Sequence, residues 1–562
     1  GLFAEQLKAK FFDQPARLTI HKKKPADAPL FSMSLDSSID FKKLASWSRQ
    51  ALLEFSEGIT AYHADLNLLN TSPLTTNLTL TTATEGVAIN MPPPFEKSKE
   101  QARSTIFKLS SQGERSYYSL EQDRLFRSQF LVLKDQGLQN LQVALGPTAR
   151  LPPQQAGVSV AGTMTTFDWS KWQPFFNDVA HRYQKQNDSE QGKTVGKSFI
   201  DSVHLIDLTM DHFDGFGLHL DQLKTQLSRQ NQGWFIQATN PVLKGEIQVP
   251  DNAEQPINIA LDYFRYVEKT KQETALPEKT NAGADRSLVS TPPSQFPALK
   301  VEIDDVQINQ WQLGRWKFNG KPSNNRYQLN ELIIMLGGQI VSAHGSWYPS
   351  NGQSMTELVG ESKGKDIGEL MKFWGQTPTL VTNKTDMSFN ISWPHSPFDF
   401  SAKKVTGKME LTLKNGRFLD VGAASALRVL GILNFSELGR RLRLDFGDLI
   451  KTGHSFDSIS GPLYLNQGVV ELQRLEVKSP SANMILTGDM DFINDQLDMG
   501  LNLEMQLTKN LISIAAIVGG PAAGGGMFVI DRLIGDRIEK FASLNYTVKG
   551  TPQKPIVKLK AL

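Results

Sequence analysis

At 562 residues the chain has room for several ordinary domains or for one elongated β structure. Its 60 Lys and Arg against 58 Asp and Glu leave a formal charge of +2, with no basic run set among aromatics, which argues against a nucleic-acid partner. Cysteine is absent, which excludes thiolate catalysis, thiolate metal sites and disulfides and suits an oxidising compartment such as the periplasm.

In chain order, Gly1 opens the sequence without an initiator Met, a basic n-region or an apolar core, so a targeting or anchoring segment is expected upstream. Residues 92–104 and 184–198 read as poorly ordered. Between them, residues 169–183 form a helical pattern behind the capping candidate Asp168. Short alternating stretches at 203–210, 257–261, 301–308, 409–413, 472–477 and 484–492 read as strands with one buried face, separated by turn signals such as Asn415-Gly416 and Gln467-Gly468. The charged, Pro-containing stretch 269–297 has no apolar period and marks an internal boundary as a disordered linker or insertion. It separates a β segment over 1–268 from a second over 298–506, with 507–562 as a closing element. Helices are expected at 367–374 behind Asp366, at 423–442 with a Leu-rich stripe, and at 527–541 with an amphipathic face.

The clearest strand is 497–507, where Leu497, Met499, Leu501, Leu503, Met505 and Leu507 alternate with polar residues and Gly500 without exception. At about 3.3 Å per residue it spans roughly 36 Å, long for a compact sandwich and suited to a broad sheet. Hairpin-length gaps make that sheet antiparallel. The fold class is mainly β: a long, twisted, curved antiparallel sheet forming an elongated hydrophobic groove, with a few short helices. Residues 511–530 carry no charge but contain five Gly and Pro521, so an apolar helical hairpin fits better than a continuous span. It packs as core at the sheet's end or dips into a bilayer surface.

Few motifs carry chemistry. Gly192 to Ser198 has three residues between its glycines where a phosphate loop needs four, and 519–526 has the gap but no Lys. His454, Ser455 and Asp457 are neighbours on one turn and cannot form a relay assembled from separate elements. His204, His212 and His219 with Asp211 and Asp214 lack a metal-binding spacing and read as solvent-facing strand polars. Arg440, Arg441 and Arg443 close a predicted helix, where cations complement the helix dipole or contact a lipid phosphate. No catalytic residue, metal or cofactor is assigned.

From Asp366 to Pro555 the chain carries Ile391-Ser-Trp393-Pro394, Leu433-Asn-Phe435, Arg440 to Phe446, Gly453 to Gly461 and the closing Tyr546 to Gly550. This block resembles the C-terminal region of the YhdP-type members of the AsmA-like family. The resemblance implies a Gram-negative envelope protein with an inner-membrane helix, a groove across the periplasm and phospholipid transport toward the outer membrane. On that basis Leu497, Met499, Leu501, Leu503, Met505, Leu507, Leu411, Leu413 and Leu486 are expected to line a lipid groove. Ile512, Ile514, Ile517, Phe528, Val529, Leu533 and Ile534 are expected to dock at the outer membrane, with Arg440 and Arg441 near a headgroup. Two rival classes stay open: a structural or regulatory envelope protein with a filled interior, and a hydrolase acting on an envelope polymer.

Overall fold

Successive side chains of a strand point to opposite faces, so each alternating stretch makes a strand with one apolar face. A computed structural model of the chain describes residues 3–21, 29–48, 50–188, 202–230, 232–267, 292–419, 455–480, 482–505, 543–551 and 554–560. The fold is mainly β, with 66% of the described residues in strands and few helices among them. The expected strands form as Val203–Gly215, Ile257–Tyr266, Leu299–Ile308, Thr406–Phe418, Val469–Lys478, Ala482–Asp491 and Gln496–Met505. The chain divides into two compact units, the first carrying the strands from Ala4–Phe11 to Leu243–Pro250, the second those from Ile257–Tyr266 to Lys554–Leu559.

In the first unit neighbours in sequence pair antiparallel from Ala4–Phe11 through Gln14–Ile20, Phe31–Asp40, Ser56–Leu69 and Thr75–Thr82 and on to Gly137–Leu145. Antiparallel pairing is not universal. Gly157–Asp168 lies parallel to both Gly137–Leu145 and Val203–Gly215, and the second of these pairings is made possible by the helix Trp169–Asp188 in the connection. Asp168 Oδ1 accepts from the backbone N–H of Ser170 at 3.0 Å, as its capping position requires.

Residues 92–104 are ordered, contrary to the expectation from composition. Lys97 is 4% exposed, and its Nζ donates to the carbonyls of Thr84, Val87 and Ser98 at 2.8, 2.7 and 3.1 Å. Arg103 donates to the carbonyls of Phe95 and Glu96. Two cations thus bind backbone oxygens that the loop cannot satisfy by itself, and the ring of Phe95 packs 5.9 Å from that of Trp172. Composition signals disorder only when such internal partners are lacking.

In the second unit Ile257–Tyr266 and Leu299–Ile308 are parallel, so the chain between them, which contains all of 269–297, is the long connection that a parallel pair requires. Every later neighbour pairs antiparallel, from Leu299–Ile308 to Lys554–Leu559. The helix Ile367–Phe373 is capped by Asp366, whose Oδ1 accepts from Gly368 N at 2.8 Å and Thr382 N at 3.0 Å. Asn415-Gly416 is a bend inside the strand Thr406–Phe418 and not a turn, with Asn415 at φ 50°. A Cβ on Gly416 would stand 2.3 Å from the Phe456 ring, so the glycine admits that ring to the core.

Candidate functional site

Register decides which residues of different strands share a face, and directly paired positions do. In the second unit a single row runs Ile259, Val301, Phe318, Leu332, Ala343, Gly360, Phe389, Met409, Leu463, Leu472, Gly488, Met499, Val548. Every member is apolar or glycine. At about 4.8 Å between strands it covers on the order of 60 Å across the sheet. A parallel row through Leu261, Ile303, Trp316, Ile334, Val341, Ser362 and Met387 has one polar member, Ser362. The opposite face is polar: Ser342, Glu361, Ser388 and Glu410 pair in succession there, all exposed.

The first unit repeats the arrangement. Its row runs Leu7, Leu18, Leu35, Ala64, Leu80, Phe107, Leu120, Ser128, Val143, Val160, Ile206, Leu227, Ile236, Ile247. The one hydroxyl, on Ser128, donates to Leu120 O at 3.2 Å and is thereby removed from the surface chemistry of the row. Most of the other members are half-buried, so the apolar stripe is neither solvated nor packed shut. The reverse face pairs Ser34, Asp65, Thr79, Lys108, Ser119 and Gln129 in an unbroken polar row.

The expected groove residues fall together on this apolar face. Leu501 pairs with Leu486, Met499 with Gly488 and Leu497 with Met490, while Leu413 pairs with Ile459 and Leu411 with Gly461. Met505 ends the same strand. Five of them are closed off: Leu413 is 0% exposed, Met499 3%, Leu503 4%, Leu486 6% and Leu497 8%. Leu411 and Leu501 are half-buried. The half-buried surface concentrates instead on Ile303, Trp316, Ile334, Val341 and Met387, which sequence reasoning missed. Only the cross-strand register reveals the row, and it runs past register shifts between Ile303 and Val306, Asn319 and Gly320, and Leu329 and Leu332.

The expected helix 423–442, Arg440, Arg441 and Arg443, Leu507, and the hairpin residues Ile512, Ile514, Ile517, Phe528, Val529, Leu533 and Ile534 lie outside the described residues. So do His454 and the stretch 192–198. His212 Nδ1 meets Asp221 at 2.8 Å and His219 pairs with Asp214, both on exposed surface. Among the described residues no group of three or more His, Asp or Glu could hold a metal ion. No described helix is long and apolar enough to cross a membrane.

Comparison with known proteins agrees with this geometry. The sequence model of the family described as YhdP protein matches residues 1–557. A curated relative, the intermembrane phospholipid transporter YhdP of Escherichia coli (strain K12), is 21% identical over 587 aligned residues, covering 99% of this chain and 43% of the relative. The chain therefore spans less than half the length of that relative. No solved structure matches.

Proposed function

Because the chain belongs to the YhdP protein family, we propose that it carries phospholipid between the inner and outer membranes of a Gram-negative envelope, through the periplasm and without chemistry on its cargo. The carrying observation is the apolar row that crosses each unit with a polar row behind it. A diacyl lipid with about thirty methylenes costs on the order of 20 kcal/mol to expose in water, at about 0.8 kcal/mol per methylene, so a continuous apolar path removes the main barrier to crossing. Neighbouring rungs offer similar surface, so acyl chains slide from one to the next without a deep trap. An inner-membrane anchor, and an outer-membrane contact through residues 511–541, rest on the sequence resemblance alone.

The filled cluster around Leu413, Ile459, Leu463, Leu472 and Leu475, each 1% exposed or less, favours a second reading for that part of the molecule: a packed core that holds the sheet's shape and never meets lipid. Photo-crosslinkers at Ile334 and Leu501, with a control at Asn502, separate the readings. Asn502 lies on the opposite face and donates to Asn545 at 2.8 Å. Phospholipid adducts at Ile334 and Leu501 but not Asn502, read by mass spectrometry, fit a conduit throughout. Adducts at Ile334 alone restrict the conduit to the half-open part. A lipid-free protein with no adduct at any of the three sinks the proposal.

A further inference from the structure

Beside the apolar rows of the second unit, towards the turn at Asn324 and Asn325, a shorter row shares their face: Tyr327 pairs with Trp347, Trp347 with Thr356 and Thr356 with Trp393. These side chains combine an apolar body with a polar tip, the type that sits where an apolar region meets water. Two of the tips are satisfied internally. Thr356 Oγ1 donates to His395 O at 2.8 Å and Trp393 Nε1 to Ser396 O at 3.1 Å.

The other two are not. The protons of Tyr327 Oη and Trp347 Nε1 are buried without an acceptor, and their residues are 6% and 2% exposed. Buried Tyr and Trp normally find an acceptor, and leaving one without is destabilising. Burial pushes the Tyr327 phenol up to about 12, although the Leu299 backbone N–H pulls it the other way, so the group keeps its proton and stays a donor. Phe296 covers both, its ring 5.3 Å from that of Tyr327 and 5.9 Å from that of Trp347. A Cβ on Gly320 would stand 2.5 Å from Tyr327 Cε1, so the strand beneath is fitted to that ring.

We propose that Tyr327 and Trp347 form a polar station on the lipid path, where O–H and N–H donate to an ester or phosphate oxygen of a phospholipid whose chains lie along the neighbouring apolar rows. This rests on the conduit reading and adds to it a point at which cargo pauses and is oriented. Phe296 covers the donors, so on this reading its ring has to be displaced for the oxygen to reach them. An alkane, with no acceptor, passes without engaging the station, so the site separates amphipathic lipid from plain hydrocarbon.

The test titrates the full chain with dioleoyl phosphatidylglycerol and, separately, with hexadecane, in wild type and in Tyr327→Phe, which keeps the ring and removes the hydroxyl. The expected result is a loss of affinity of about fivefold for phosphatidylglycerol and none for hexadecane. Trp347→Phe gives the same selective loss. Unchanged affinity for both ligands, or an equal loss on both, overturns the station while leaving the conduit intact. If wild type binds neither ligand, the conduit falls and the station with it.

Discussion

Within the second unit, the same face is built in two ways. From Leu299–Ile308 to Lys384–Pro394 its residues Ile303, Trp316, Ile334, Val341 and Met387 are half-buried. From Thr406–Phe418 onward the same row is closed at Leu475 (1% exposed) and Leu486 (6%) and half-buried at Leu411 and Leu501, and the neighbouring row is closed at Val548 (0%). The patterns of apolar residues are alike, so pattern does not distinguish a path from a core. Filling does: Ile367 and Leu370 of the capped helix and Phe418 and Phe456 join the closed cluster, which does not include Ile334. An apolar row left half-open loses part of its contact with neighbouring atoms and is completed only by an occupant.

A charge placed in each part breaks the comparison most directly. Leu475→Asp buries a carboxylate in a packed core with no cation beside it and is expected to cost on the order of 4 kcal/mol or more, seen as loss of the cooperative melting transition. Ile334→Asp, with water at hand, costs about 1–2 kcal/mol and leaves the protein folded, yet removes co-purifying phospholipid. Equal destabilisation by the two substitutions would mean that the half-open part is core as well.

The sequence made the strands of the closed part legible because 497–507 alternates without interruption and its neighbours carry large apolar residues at every second position. It also located the two helices behind Asp168 and Asp366, whose caps have a local signature. The half-open row was invisible for a physical reason. Ile334 and Val341 share a face only because the pairing Ile334 to Val341 survives a bulge between Leu329 and Leu332, and a one-residue slip would turn the row to solvent. Parallel pairing of Ile257–Tyr266 with Leu299–Ile308 escaped notice likewise, since a long polar connection reads as a linker whichever strands it joins.

A smaller effect is expected at the helix that joins the closed cluster. Asp366 holds both Gly368 N and Thr382 N, tying the helix start to the returning chain. Asp366→Ala removes the cap and is expected to cost about 1 kcal/mol, with the loss in melting temperature confined to stability and lipid binding at Ile334 unchanged. A fall in lipid crosslinking at Ile334 would instead show that closed and open parts are coupled through the sheet.

The polar reverse face supplies the mildest test, because its contacts are solvated and interchangeable. His63 Nδ1 donates to Asp36 Oδ1 over 2.7 Å, and that hydrogen bond, with Asp65 adding its charge, holds the His63 pKa above the usual histidine range despite some opposing burial. A base whose folded value is raised stabilises the fold fully below its unfolded value near about 6.5, and the contribution disappears as pH rises through the raised folded value. The melting-temperature gap between wild type and His63→Gln should therefore be widest below about pH 6.5 and narrow as pH rises through the raised folded value. Its size is small because the pair is exposed and screened. Phospholipid binding should not change with it across that pH range, since His63 points away from the apolar row that Ala64 belongs to. A pH-dependent loss of lipid in wild type that His63→Gln abolishes would mean that the two faces are not independent, and the division of labour between a polar back and an apolar path would have to be abandoned for the first unit.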